Sequence, residues 1–356
     1  MLNKPQDQNV GDGAVAIQAA GSADGVTVNQ TNHYGVTVEQ VRAVAQDTFR
    51  ADFFKFLDHA GDVATARAQS VLDKYLERIQ KENPAALEQA NDPNFRYALL
   101  TAQKAQAISG DQNLETLLVE LLVRRSGEQR KSLQQIVLNE ALDVVSRLTD
   151  EQVAALTISF VLRRTTNQKV LDVHSFLQMM DLRVLPFIGG AKLSNAAYSH
   201  LAYTGCGVVE LGEISLADVF LKGYPNIWQA GFPPTDPVVA GLSVQGRQLL
   251  RPSPHTHELI EVLDAPQGMG TAIDDFFNLD LQQRELVNQL RGRPRLPLEK
   301  VKEFSMRLRP YMPELFDLWD NTSMKNFMPS SVGIAIAHAN LCRVQPDFGP
   351  LSIWIQ

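Results

Sequence analysis

Two histidines and a glutamate, His255, His257 and Glu258 in PSPHTHELIEVLD, come nearest in this chain to a metal-ligand set. Imidazole and carboxylate suit Zn²⁺ and related ions. On an extended segment a spacing of two puts both rings on one side, whereas on a helix they point to different faces. No third ligand stands at motif spacing. The competing reading is a helix start, with Ser253 or Thr256 as cap and Glu258 near the positive end of the helix. Cys206 in TGCGVVELGE lies between two glycines with His200 and Glu210 close by in sequence. A nucleophile on a tight turn and a small buried side chain packing that turn are both open. Neither a P-loop nor a Gly-x-Gly-x-x-Gly fingerprint is present, so no cofactor is implied, catalytic residues stay unassigned, and binding is favoured over catalysis.

A second chemistry is offered by RGRPR, which carries Arg291, Arg293 and Arg295. Residues 284–309 hold eight Lys and Arg against three Glu in a chain whose net charge is −7. The Arg-Gly-Arg-Pro core resembles an AT-hook, which lays Arg side chains into a narrow minor groove. The alternative is a helix end, with Arg favouring the negative pole, Gly292 as C′ residue and Pro294 as stop.

Positioning these residues falls mainly to helices. After Gly35 the apolar period is about 3.6. Thr37 and Gln40 form a capping box for a helix expected to run to about Ala60 and stop at Gly61. A second follows from Asp62, with Ala66, Val71, Tyr75 and Ile79 inward, ending before Asn83 and Pro84. A third is broken around Asn91–Pro93 and ends at Ser109–Gly110. Further helices are expected over 114–123, 132–148 (opened by Ser132), from a second capping box at Thr149 and Gln152, and over 171–180. From Leu185 onward Gly and Pro cut the chain into shorter pieces: helices over 194–203 and 215–221, a strand over 208–211, helices over 271–290 and 298–318, a helix after Ser331, and a final strand over 351–355. The expected fold class is therefore mainly α. It has three parts: a Gly-rich β arm at 1–36, a helical bundle at 37–184, and a smaller mixed α/β region at 185–356.

The arm, VGDGAVAIQAAGSADGVTVNQTNHYG over 10–35, has two short alternating runs. Val15 and Ile17 share one face of the first, and Val26 and Val28 share one face of the second. A lone hairpin is marginal in water, and the rest of the chain offers few strands. Pairing with another copy would supply the missing neighbours, making these four residues the expected oligomerisation set; a tail is the alternative.

At 356 residues, 44% apolar and 21% charged, the chain has the composition of a globular protein with well-formed cores. Its acidic balance argues against a surface that binds nucleic acid all over. The two cysteines, Cys206 and Cys342, have no metal spacing and suit free thiols in a reducing cytoplasm. No signal peptide and no run of 18 apolar residues is visible, so no membrane span is expected.

The C-terminal stretch SSVGIAIAHANLCRVQPDFGPLSIWIQ, taken with the Gly-rich opening and GVTVEQVRAVAQDTFRADFF, resembles an uncharacterised family of bacterial proteins catalogued under locus-tag names only. The resemblance covers most of the chain and implies no activity, cofactor or catalytic residue. Openings similar to GDGAVAIQAAGSADGVTVNQ are found on modular bacterial proteins, some linked to defence against phage. The function expected is a cytoplasmic, homo-oligomeric interaction, scaffold or sensor protein. The alternatives are nucleic-acid binding through 284–309, or a metal-dependent or Cys-dependent hydrolase. The partners expected are itself and another protein.

Overall fold

The computed structural model describes residues 36–53, 61–128, 131–264 and 272–356. The arm, with Val15, Ile17, Val26 and Val28, lies outside the described residues. The protein is mainly helical, with four three-residue strands among the described residues. The helices of the first half are α1 (Val38–Phe53), α2 (Gly61–Glu82), α3 (Pro93–Ser109), α4 (Gln112–Ser126), α5 (Leu133–Val145), α6 (Asp150–Arg164) and α7 (Val173–Arg183). Then come α8 (Leu185–Ile188), α9 (Asn195–Tyr203), β1 (Gly207–Val209), α10 (Leu216–Gly223), α11 (Pro237–Ala240) and α12 (Val244–Arg247). The chain continues through β2 (Leu250–Pro252), β3 (Ile260–Val262), α13 (Ala272–Phe276), α14 (Leu281–Arg291), α15 (Leu298–Leu308) and α16 (Met312–Asp320). It closes with β4 (Phe327–Pro329) and α17 (Ser331–Cys342).

Short polar side chains start these helices as their types predict. Thr37 and Gln40 exchange hydrogen bonds at 3.3 and 3.0 Å, and Thr149 and Gln152 do the same at the head of α6. Ser132 caps α5 by accepting from the Gln135 N–H. Several expectations are corrected. The expected end of the first helix near Ala60 lies outside the described residues; Gly61 is already within α2, with Asp62 in its first turn rather than as its cap, and Ala66 is exposed while Ala64 and Ala68 face inward. The helix expected over 271–290 is two helices, because Asn278 takes a left-handed φ of 52° and Asp280 then caps α14. Residues 351–353 form a 3₁₀ turn rather than a strand. The strand expected over 208–211 is Gly207–Val209, and Leu211 stands fully in solvent.

The centre of the molecule is α17. All ten of its residues from Gly333 to Cys342 are buried, so it has no polar face, as expected of a helix surrounded by protein. It packs against α4, α5 and α6. Gly333 lets the start of α17 approach the chain just before β1: a Cβ there would collide with the Cys206 carbonyl oxygen. A buried hydrogen bond from Asn340 Nδ2 to Thr157 Oγ1, 2.9 Å, ties α17 to α6. Through α17 the principal core is continuous across residue 184, running from Val41 to Ile355.

Residues 232–290 are set apart by a smaller core of their own, including Phe232, Val262, Val287 and Leu290. The chain enters and leaves this module along adjacent antiparallel segments: Ala230 N–H donates to Pro294 O at 3.0 Å and Leu296 N–H to Trp228 O at 2.8 Å. Strands β2 and β3 pair antiparallel inside the module, whereas β1 and β4 pair antiparallel on the main body.

Candidate functional site

The arginines of 284–309 lie at the neck of the module, and their surroundings come from distant carboxylates. Arg291 is only 12% exposed and pairs with Asp274 at 2.7 Å and Asp264 at 3.3 Å. Arg293 pairs with Asp236 at 2.7 Å, and Arg295 with Asp264 at 3.3 Å. The remaining five cations of the strip, Arg284, Lys300, Lys302, Arg307 and Arg309, bind Asp275, Glu303, Asp320, Glu303 and Asp181 respectively. All eight are thus ion-paired, and the local positive excess read along the strip is compensated in space. The helix does end at Arg291, but Gly292 has φ −74°, a conformation open to any residue, so no left-handed C′ glycine is used.

His255, His257 and Glu258 sit in the turn between β2 and β3 and do not converge. His255 lies against Trp228 and Phe304, with ring centroids at 5.7 and 4.4 Å. Its Nε2 donates to Ile227 O at 2.9 Å, leaving Nδ1 buried without a partner. Burial pushes its pKa down; the Ile227 bond opposes this and the Arg251 charge adds to it. His257 and Glu258 point to solvent. Among the described residues no group of three or more His, Cys, Asp or Glu is placed to hold a metal. His255 is a wedge between the module and the main core.

Cys206 is fully buried, accepts a hydrogen bond from Thr204 Oγ1 at 3.5 Å, and has its thiol pKa raised by burial. His200 is engaged elsewhere, with its Nδ1 3.1 Å from Gln152 Nε2. Gly207 is required by packing, since a Cβ would enter the Phe327 ring. Of the two glycines flanking this cysteine, Gly207 packs against β4, whereas Gly205 meets nothing within 4 Å and supplies a turn with a left-handed φ of 79°.

A polar cluster lies at the C-terminal end of α17; of its residues only Cys342 is singled out by sequence, as a free thiol. A cleft of about 580 Å³ lies between α2, α4 and α17, lined by Arg78, Glu120, Arg124, Cys342 and Arg343 among others. Glu120, nearly buried, is shared by Arg78 at 2.5 Å and Arg124 at 2.6 Å. Beneath it, Cys342 Sγ lies 3.9 Å from His338 Nδ1, and His338 Nε2 donates to Gly349 O at 2.7 Å. Burial, chiefly, lowers the His338 pKa to about 4 and raises the Cys342 pKa to about 11. At neutral pH both are uncharged, so the pair is not a thiolate–imidazolium dyad. The only sequence trace of the cluster is two i, i+4 spacings, Glu120/Arg124 and His338/Cys342, common in any helix.

Among the described residues no helix is long and apolar enough to cross a membrane. No curated protein matches the chain, and no solved structure does. One family model does match, over residues 35–355. That span takes in the whole helical body and the module, and the chain belongs to this family, which is uncharacterised and designated only by a locus-tag name of the "-like" form.

Proposed function

We propose that the protein acts by binding, as a self-associating interaction or sensor protein. The observation that carries this reading is the outer edge of β1. Cys206, Val208 and Glu210 hydrogen-bond toward β4, through Ser330, Met328 and Asn326, so by antiparallel alternation Val209 turns its backbone groups the other way. Around it Tyr203, Val208, Val209 and Leu211 are 85, 55, 43 and 105% exposed. Two-stranded sheets are marginal alone, and an apolar open edge is a template for another strand. A second copy fits, because a two-fold axis beside β1 would join two β4–β1 pairs into one four-stranded sheet. The Gly-rich arm is a second means of assembly on the same reading. Bacterial defence is the setting that the opening segment suggests.

Light-scattering mass of the full chain tests this. A multimer that Val209→Asp dissociates, with helical circular dichroism retained, supports assembly through β1. A multimer that survives Val209→Asp but is lost in a chain beginning at Val36, or in Val28→Asp and not Asn29→Asp, assigns assembly to the arm. A wild-type monomer at all concentrations overturns the proposal. Duplex binding through 284–309 is the second reading. It requires ion pairs such as Arg293–Asp236 to exchange for phosphate, and predicts salt-sensitive affinity that Arg293→Ala weakens.

A further inference from the structure

Arg343, the first residue beyond α17, differs from the eight cations of the 284–309 strip. Among the described residues no carboxylate lies within ion-pair distance of it. Its guanidinium is held by two neutral amides, Asn340 Oδ1 and Asn113 Oδ1, each at 3.1 Å. Both amides are themselves oriented. Asn340 Nδ2 is spent on Thr157, and Asn113 Nδ2 donates to Asp150 at 2.8 Å. Their oxygens therefore face the guanidinium, fixing the fork without neutralising it. Burial lowers the pKa of Arg343, while Asp150, Asp111 and Glu120 act at longer range to raise it; a guanidinium is not deprotonated in proteins, so the group stays charged.

Space lies on both sides of this cation. Arg343 and Thr116 line the cleft of about 580 Å³ described above and also a neighbouring cavity of about 520 Å³, bordered by Leu117, Pro186 and Phe187. Each has the size of a small-molecule pocket. In the first, Arg124 is paired with Glu120 at 2.6 Å. With Glu82 and Glu120 of the cleft already paired to Arg78 and Arg124, the unpaired Arg343 leaves donor capacity that two oxygens of one group can fill, against one further carboxylate in the lining, Asp347.

We propose that the cleft between α2, α4 and the end of α17 binds a small molecule bearing a phosphate or carboxylate group, gripped by the fork of Arg343, with Arg124 adding positive charge beside it. The pocket is independent of the β1 edge, so its occupancy and the oligomeric state are separate measurements. If the protein is a sensor, this is where its signal enters.

Isothermal titration of the full chain with pyrophosphate and, separately, with citrate tests the site. The expected result is saturable binding of at least one probe, falling about tenfold or more in Arg343→Gln and unchanged in Arg307→Gln, whose guanidinium is exposed and belongs to the paired strip. Preference for pyrophosphate assigns the phosphate class, and preference for citrate the carboxylate class. Should Arg343→Gln lose its helical circular dichroism, Arg343→Lys replaces it. That variant keeps the charge, loses the two-point fork, and must show the same fall. Failure of both probes to bind wild type at millimolar concentration, or equal binding by the Arg343 variant, overturns the proposal.

Discussion

His338 shows how far burial changes what a residue can do. Its ring is completely buried against Phe160, Phe348 and Trp354, and it is kept neutral with a pKa near 4. An unfolded chain would bind a proton at this histidine below about 6.5, which the folded chain refuses until about pH 4. Across that window the unfolded state holds more protons, so stability falls as pH falls. The shift amounts to about 3 kcal/mol lost between pH 6.5 and 4, to order of magnitude. His338→Gln should flatten this part of the curve in urea titrations at stepped pH; an unchanged slope would show that other groups carry the acid sensitivity. Arg124 and Arg125 make a related point. Both stand in the last turn of α4, yet Arg124 lines the cleft whereas Arg125 is fully buried, bonded to Asn139 and Asn94 at 2.7 and 2.8 Å.

At the scale of elements, the packing of α17 hangs on the absence of a side chain at Gly333. The obstruction to a Cβ there is the Cys206 backbone carbonyl, which also accepts from the N–H of Ser330, the residue between β4 and α17. Backbone on both sides leaves little to give way. Gly333→Ala should destabilise the protein by about 3 kcal/mol, at the upper end of the usual cost of overpacking. Gly212→Ala, where a Cβ meets nothing within 4 Å, should stay within about 0.5 kcal/mol. Thermal melts of the two variants decide it. Equal melting temperatures would mean that the seam between α17 and β1 can open at small cost.

At the scale of the whole molecule, the 232–290 module is held to its neck by charge as well as by its small core. Asp274 is 2% exposed and relies on Arg291 for a bidentate bond, at 2.7 and 2.9 Å. Removing the arginine would strand a buried carboxylate, at a cost of about 3–5 kcal/mol. Arg307 pairs with Glu303 in solvent, where such pairs contribute about 0–1 kcal/mol. Hydrogen exchange on Arg291→Ala should therefore show module amides losing protection while those of α17 keep theirs, with Arg307→Ala resembling wild type. Loss of protection throughout the chain would show that module and main body unfold as one unit. A loss of nucleic-acid affinity in Arg291→Ala would follow from this unfolding alone, so Arg293 is the better probe of that reading.

The chain by itself determines its helices and their starts. Thr37, Ser132 and Thr149 act within three residues of themselves, and local hydrogen bonds need no fold to be legible. The mainly helical class follows from the same local patterning. Tertiary structure decided what the charged residues are for. RGRPR reads as a positive run because its partners, Asp236, Asp264 and Asp274, arrive from 17 to 57 residues away. Asn113 and Arg343 meet across 230 residues, and no local period marks either as part of a site. Electrostatic pairing acts through space while sequence pattern records only neighbours along the chain. The helices were therefore readable in advance, but the cleft at the end of α17 existed only once they had packed.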